Sequence, residues 1–278
     1  MKSLFVCPVC AEALQREERR YICPAGHSFD RAKEGYCNLL PVNRKHSKDP
    51  GDDKGMAAAR ERFLSKGYYY EPLRRELCRL AVDRTGDAPT VLDAGCGEGY
   101  YTSGIYRALR ESRKTPHMAG TDISKFILRR AAKREKDVEF AVASSYHLPM
   151  AARSADLILN CFSPMAAEEF HRVLKEGGGL LYVVPSEKHL WELKEILYDR
   201  PYINEVKQVP YEGFDEVEVR HVEGVIHLPC KEDILALFQM TPYFWNTPRE
   251  GVRRLEQQET LTCRISFDIH VFRKSGNK

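Results

Sequence analysis

"TVLDAGCGEGYYT", residues 90–102, decides how this chain folds. An apolar run, Val91-Leu92, ends in an acid, Asp93. Glycines then take alternate positions, Gly95, Gly97 and Gly99, and an amphipathic stretch opens at Tyr100. The apolar run predicts a buried strand over 90–95, and "YYTSGIYRALRE" (100–111) predicts a helix. Glycines between the two let the backbone turn sharply and approach a ligand closely. Strand, glycine loop and helix in this order open a βαβ unit whose helix N-terminus faces a ligand. On these residues alone, the related G-x-G-x-x-G loop of a nicotinamide enzyme and a Gly-rich turn in a non-catalytic α/β domain remain alternatives.

Working outward, the pattern repeats. Strands are predicted at "HMAGTDIS" (117–124), "VEFAVAS" (138–144), "ADLILNCFS" (155–163) and "GGLLYVVPS" (178–186). Helices are predicted between and beyond them at "KFILRRAAKR", "AAEEFHRVLK" and "KHLWELKEILY". Two alternating stretches, "VEVRHVEGVIHL" and "CRISFDIHVFRK", flank a helix "KEDILALFQM" and suit an edge pair. The sum is a doubly wound, mostly parallel α/β sheet of seven strands. The expected organisation is a small Cys/His unit over 1–41, a charged linker becoming a helix over 42–72, and the α/β domain over 73–278.

The composition fits a soluble globular chain. No apolar run approaches the twenty or so residues of a membrane span, and the N-terminus has no apolar core of a secretory signal. Nine cysteines at uneven spacing argue for a reducing compartment, so a cytoplasmic location is expected. Positive charge concentrates at the front: residues 1–48 hold nine Lys/Arg against five Asp/Glu. Such a face suits phosphate, although a solvated surface reads the same way.

That front segment carries a second motif. Cys7, Cys10, Cys23 and His27 follow the spacing C-x2-C-x12-C-x3-H. Two chelating pairs on separate turns satisfy tetrahedral Zn²⁺, and four ligands close its shell, so the metal is structural. Pro8 and Pro24-Ala25-Gly26 suit the turns that aim each pair. A redox C-x-x-C would lack the second pair. Some forty residues build too small a core alone, so metal is expected to supply much of the folding energy. Cys37, Cys78, Cys161, Cys230 and Cys263 read as small core residues, and Cys96 as a small loop residue.

The G-x-G-x-G loop with an acid two residues ahead resembles motif I of class I S-adenosylmethionine methyltransferases. The resemblance implies that Asp93, Gly95, Gly97, Gly99, Tyr100 and Tyr101 lie under the methionine part of the cofactor. Asp122 ends the second strand, 27 residues after Gly95, where an acid accepts bonds from the ribose hydroxyls. Ser144, Ser145 and His147, in "VASSYHLP", are expected at the adenine.

The whole chain is more specific still. "CPVCAEAL…YICPAGHSFDRAKEGYCNLLPV", "KDPGDDKGMAAARERFL", "LDAGCGEGYYT", "EGGGL", "HLWELK" and "FDIHVF" together resemble the 23S ribosomal RNA guanine-N1 methyltransferases. That implies methyl transfer to N1 of one guanine in a hairpin of large-subunit RNA, a zinc ion on Cys7, Cys10, Cys23 and His27, and a homodimer with a positive cleft. N1 lies on the Watson–Crick edge, so the base must be unpaired or flipped. At the fourth strand end, Asn160 is expected to bond the guanine edge and Phe162 to stack on it. Lys33, Arg44, Lys45 and Lys48 are candidate phosphate contacts, and Tyr68, Tyr69 and Tyr70 candidate stacking residues.

Overall fold

The structure, a computed structural model, describes residues 2–41, 54–205 and 211–276. Five short strands come first: β1 (Lys2–Val6), β2 (Ala13–Arg16), β3 (Arg20–Ile22), β4 (Ser28–Asp30) and β5 (Tyr36–Asn38). Helix α1 (Lys54–Arg60) runs directly into a π-helical turn, Glu61–Lys66, and α2 (Glu71–Asp83) follows. Then come β6 (Thr90–Ala94), α3 (Tyr100–Glu111), β7 (His117–Asp122), α4 (Lys125–Arg134) and β8 (Glu139–Val142). The next elements are β9 (Ala155–Cys161), α5 (Ala167–Val173), β10 (Leu174–Pro185) and α6 (Trp191–Leu197). The chain closes with β11 (Phe214–Leu228), α7 (Lys231–Gln239), α8 (Tyr243–Asn246), α9 (Arg249–Glu256) and β12 (Leu261–Lys274).

Strands β1 to β4 form an antiparallel sheet in chain order. The main sheet runs β11-β12-β10-β9-β6-β7-β8-β5. From β5 to β10 the pairing is parallel, and β12 joins β10 and β11 antiparallel. All seven expected strands are present, and β5 adds an eighth. It comes from the Cys/His segment and pairs Tyr36–Asn38 with Phe140–Val142. The chain builds outward from β6 through β7 and β8, then returns to β6's other side with β9. That reversal opens a crevice at the carboxyl ends of β6 and β9, where ligands bind in open α/β sheets.

Strand alternation divides the core into two layers. Val91, Leu157, Leu159, Leu181 and Val183 pack with residues of α2, α3, α4, α6 and α7. Their neighbours Leu92, Ala94, Ile158 and Leu180 belong to the other layer. There they meet Phe170 of α5, but also Phe5, Leu14 and Tyr21 of the Cys/His segment, each wholly buried. A face of the Cys/His segment thus supplies part of the layer that helices fill in an ordinary doubly wound sheet. Polar anchors hold it there. Ser3 Oγ and Leu4 N donate to the Glu139 carboxylate at 2.7 and 3.0 Å, and Val6 N donates to Pro149 O at 2.9 Å.

One boundary moves. The helix expected through Lys175 stops at Val173, and Leu174 begins β10 paired to Ala155. Leu174 is fully buried in the second layer, and the extended backbone delivers it there. Two short helices, α8 and α9, have no counterpart in the expected elements.

Candidate cofactor cleft and metal centre

The glycine loop hangs from β7. Gly95 N and Cys96 N both donate to Thr121 O, at 2.8 and 2.9 Å. Gly95, Gly97 and Gly99 all have positive φ, at 86°, 55° and 78°. Gly95 also lacks room for a side chain, since a Cβ there would stand 2.3 Å from Ser163 Oγ. Gly99 plays a different part. A Cβ on it would sit 3.0 Å from Ala131 Cβ, so it permits α3 to close on α4 and does not line the cleft.

Asp93, next to last in β6, is fully buried, and Thr102 Oγ1 donates to its Oδ2 at 2.6 Å. Burial is the chief reason its carboxyl is pushed up to about 7; the Thr102 bond opposes the rise and Asp122 adds to it. Its Oδ1 has no partner. Among the described residues, six buried side-chain polar atoms lack a partner, and five surround this loop: Asp93 Oδ1, Glu98 Oε2, Tyr101 OH, Thr121 Oγ1 and Asn160 Oδ1. Buried polar groups are normally bonded, and Asp93, Glu98 and Tyr101 line the cleft itself, so their free atoms mark a place that a polar ligand completes. Asp122 lines the same cleft, its carboxylate accepting from Gly97 N at 3.0 Å and Ser124 N at 2.9 Å. Tyr100 and Tyr101 line it too. An orphaned carboxylate oxygen for an ammonium, a second acid beside the loop, and glycines that permit close approach fit S-adenosylmethionine.

Two cavities meet here. One, of about 180 Å³, is lined by the loop, Asp93 and Asp122. The larger, about 660 Å³, runs past Tyr182, His189, Asn204, Thr241, Tyr243 and Trp245. Arg60, Tyr70, Phe162, Ser163, Pro164 and Met240 line both. Phe162 has φ 53° and is 43% exposed. A bulky residue in the left-handed region is a strained outlier, of a kind concentrated at functional sites. Its ring lies 5.5 Å from Phe267, 6.4 Å from Tyr70 and 6.5 Å from Tyr101. Behind them His189 is pushed down to about 3, first by burial and then by Lys194. It is therefore neutral. Its Nδ1 accepts from Ser266 N at 3.2 Å, leaving Nε2–H to donate to the Tyr70 hydroxyl at 3.2 Å.

Several expected site residues stand elsewhere. Asn160 is fully buried beneath the loop and lines neither cavity; its Nδ2 donates to Ala94 O at 3.1 Å and Pro164 O at 3.5 Å. It ties β9 to the loop instead of presenting an edge to a base. Ser144, Ser145 and His147 form a turn after β8, closed by a Ser144–His147 bridge, and line neither cavity. Of the three tyrosines only Tyr68 is exposed, at 54%. Tyr69 donates to Asp233 Oδ2 at 2.6 Å, and Tyr70, although buried, lines both cavities. Lys33 is exposed; Arg44, Lys45 and Lys48 lie outside the described residues. Arg60, Glu98, Ser163, Met240 and Trp245 were not anticipated. Glu98 was legible inside the glycine loop; the others have no local signature.

The metal centre assembles as the spacing implies. The ligand atoms of Cys7, Cys10, Cys23 and His27 all lie within 4.8 Å of one another. Cys10 Sγ and Cys23 Sγ are 3.7 Å apart, and Cys23 Sγ is 3.4 Å from His27 Nδ1. Tetrahedral zinc bonds of about 2.3 Å to sulfur and 2.0–2.1 Å to nitrogen require separations of about 3.8 and 3.6 Å. The four residues therefore fit Zn²⁺. Each pair sits on a hydrogen-bonded turn: Ala11 N donates to Cys7 O at 2.8 Å, and Gly26 N to Cys23 O at 2.9 Å. Ala11 and Gly26 carry the positive φ that ends each turn, at 60° and 83°.

Residues 5–48 match the zinc-ribbon family described as "RlmA, N-terminal", and residues 86–227 match the family described as "Methyltransferase domain". In fold, the chain is similar to the YcgJ protein of Bacillus subtilis. The TM-score is 0.50 with 14% identity, over 73% of this chain and 100% of that one. In sequence it is 38% identical to the 23S rRNA (guanine(748)-N(1))-methyltransferase of Streptomyces fradiae, over 69% of this chain and 66% of that protein. It is 31% identical, over 96% of both chains, to a Bacillus subtilis (strain 168) protein named provisionally as a 23S rRNA (guanine-N(1)-)-methyltransferase. Since that likeness covers 96% of both chains, the chain belongs to the family of 23S rRNA guanine-N1 methyltransferases.

Proposed function

We propose that this protein methylates N1 of a guanine in a hairpin loop of 23S ribosomal RNA. One observation carries the reading. The cofactor cleft and an aromatic-lined cavity wide enough for a flipped base share a wall at Phe162, and at that wall a methyl donor and a base edge come face to face. S-adenosylmethionine, when bound, supplies a methyl activated on a sulfonium sulfur. The protein's task is then alignment. Asp93 Oδ1 takes the cofactor's ammonium group, and Asp122 takes its ribose hydroxyls. Phe162 offers its face to the guanine, with Trp245, 66% exposed, on the outer side of the larger cavity. No carboxylate lines that cavity among the described residues, and His189 is neutral with its Nδ1 occupied. The N1 proton therefore leaves to water.

The further parts of the reading concern assembly. Residues 1–41 select the RNA, with exposed Lys33 on a phosphate, and the α/β part over 73–278 performs the transfer. The protein works as a homodimer in the cytoplasm, where its substrate is made. Among the described residues no helix is long and apolar enough to cross a membrane. The test is incubation of zinc-loaded protein with labelled cofactor and undermodified 23S RNA, followed by nucleoside analysis and reverse-transcription stops. N1-methylguanosine at one nucleotide is the expected product. Label on other RNA positions, or none on RNA, would sink the reading, and sedimentation as a monomer would remove the dimer.

A further inference from the structure

The methionine end of the cofactor is a zwitterion, and Asp93 accounts for its positive half alone. The α-carboxylate enters a cleft already lined by three acids, Asp93, Glu98 and Asp122. A carboxylate brought out of water beside carboxylates is strongly disfavoured unless a cation meets it. Among the described residues lining that cavity there is a single cationic side chain, Arg60. It also lines the larger cavity, so it stands where the two join. Arginine presents a planar fork that suits a carboxylate bidentately.

The backbone under Arg60 is held in register with the glycine loop. Arg60 ends α1 and is the first residue before the π-helical turn. Such turns are rare and concentrate at functional sites. Phe63 and Leu64 of the turn are buried. Ser65 donates to Glu98, inside the loop, and Arg134 donates to Ser65 Oγ at 2.5 Å. Arg134 also pairs with Glu98 at 3.3 Å. The segment that carries Arg60 is thus bonded to the same loop that carries the cofactor.

We infer that Arg60 binds the α-carboxylate of the cofactor's methionine part and makes the cleft select a ligand bearing that group. The inference rests on the cofactor assignment and is independent of which guanine is methylated. The experiment is calorimetric titration of the full-length, zinc-loaded protein with S-adenosylmethionine and with its decarboxylated analogue. Wild type should bind the intact cofactor roughly 10- to 100-fold more tightly, the range of one charge-assisted pair. Arg60→Met should lose that factor for the intact cofactor, while its affinity for the analogue stays within about twofold. Arg60→Lys should recover part of the difference. Wild type that does not distinguish the ligands, or Arg60→Met that weakens both alike, overturns the inference. If wild type binds neither ligand, the cofactor assignment itself fails.

Discussion

The glycine loop and the zinc turns are built from similar parts and stabilised in opposite ways. Both place positive-φ residues at the ends of short strands, and both converge polar atoms on a point. At the zinc turns, four ligand atoms crowd within 4.8 Å of one another, and little else in those forty residues forms a core of its own. At the glycine loop the backbone is complete without a ligand. Thr121 O, Asp122 and Ala131 hold or confine every turn of it, while Asp93 and its neighbours keep unpartnered oxygens. The first region is expected to draw much of its folding energy from its ligand. The second folds despite a site that is costly to leave unfilled.

The largest effect expected from this contrast is at the metal. Cys10→Ser should abolish stoichiometric zinc and lower the thermal midpoint by about 10 °C, equivalent to a few kcal/mol in a chain of this size. Phe5, Leu14 and Tyr21 cover one layer of the main sheet, so the loss should spread beyond the turns. RNA binding should disappear, while cofactor affinity measured in the cold stays within about threefold. A midpoint unchanged on zinc loss would mean that the strands hold the turns without metal.

Asp93→Asn should move stability the other way. The folded Asp93 titrates at about 7 and an unfolded aspartate near 3.9. Between those values the folded state binds the extra proton, so this group's contribution is full below about pH 4 and is lost as pH rises to about 7. The ligand-free protein should therefore melt earlier at pH 8 than at pH 5.5 on this group's account. Asp93→Asn should flatten that slope and raise the midpoint at pH 8, yet weaken cofactor binding about 100-fold, as expected for a lost buried charge pair. Thermal scans across pH with parallel calorimetry decide it. A midpoint at pH 8 lowered by the substitution would show that the buried charge is already compensated.

Gly95→Ala tests the loop's geometry without altering charge. A side chain at φ 86°, with a Cβ 2.3 Å from Ser163 Oγ, should cost about 1–3 kcal/mol. Gly95→Ala combined with Ser163→Gly, which removes both the Oγ and the Cβ that a side chain at 95 would meet, should recover part of that in chemical denaturation. Full additivity of the two would mean that strain, and not the contact, is responsible. The smallest effect is expected at Phe162. Its truncation to alanine should lower kcat about tenfold through lost stacking, with cofactor affinity nearly unchanged. Equal loss of both would place the ring on the cofactor's side of the wall.

Much of this was legible locally. Helices α3 and α4 occupy 100–111 and 125–134 as the residues predict, because a loop glycine starts one and Ser124, in extended backbone, starts the other. The zinc ligands were legible because chelation is a matter of spacing along two short turns. Arg60 and Trp245 were not. Each reaches the cleft from a segment remote in sequence, and nothing in its own neighbourhood distinguishes it from an ordinary helical residue. Asn160 was misread for a related reason. A strand-end amide looks the same whether it faces a substrate or an Ala94 carbonyl.

Residues 90–102, read alone, determined a strand, a tight turn of glycines and a helix, since those preferences are properties of the backbone itself. The two cysteine pairs likewise determined a zinc centre. Only the tertiary structure decided that the zinc strands lie against the sheet and lend it an eighth strand, and that an arginine from α1 and an aromatic wall at Phe162 complete the cleft. Those are choices of which surfaces bury one another across tens to hundreds of residues. They rest on the fit of whole faces such as Phe5, Leu14 and Tyr21 against Leu92 and Ala94, which no short stretch of sequence encodes.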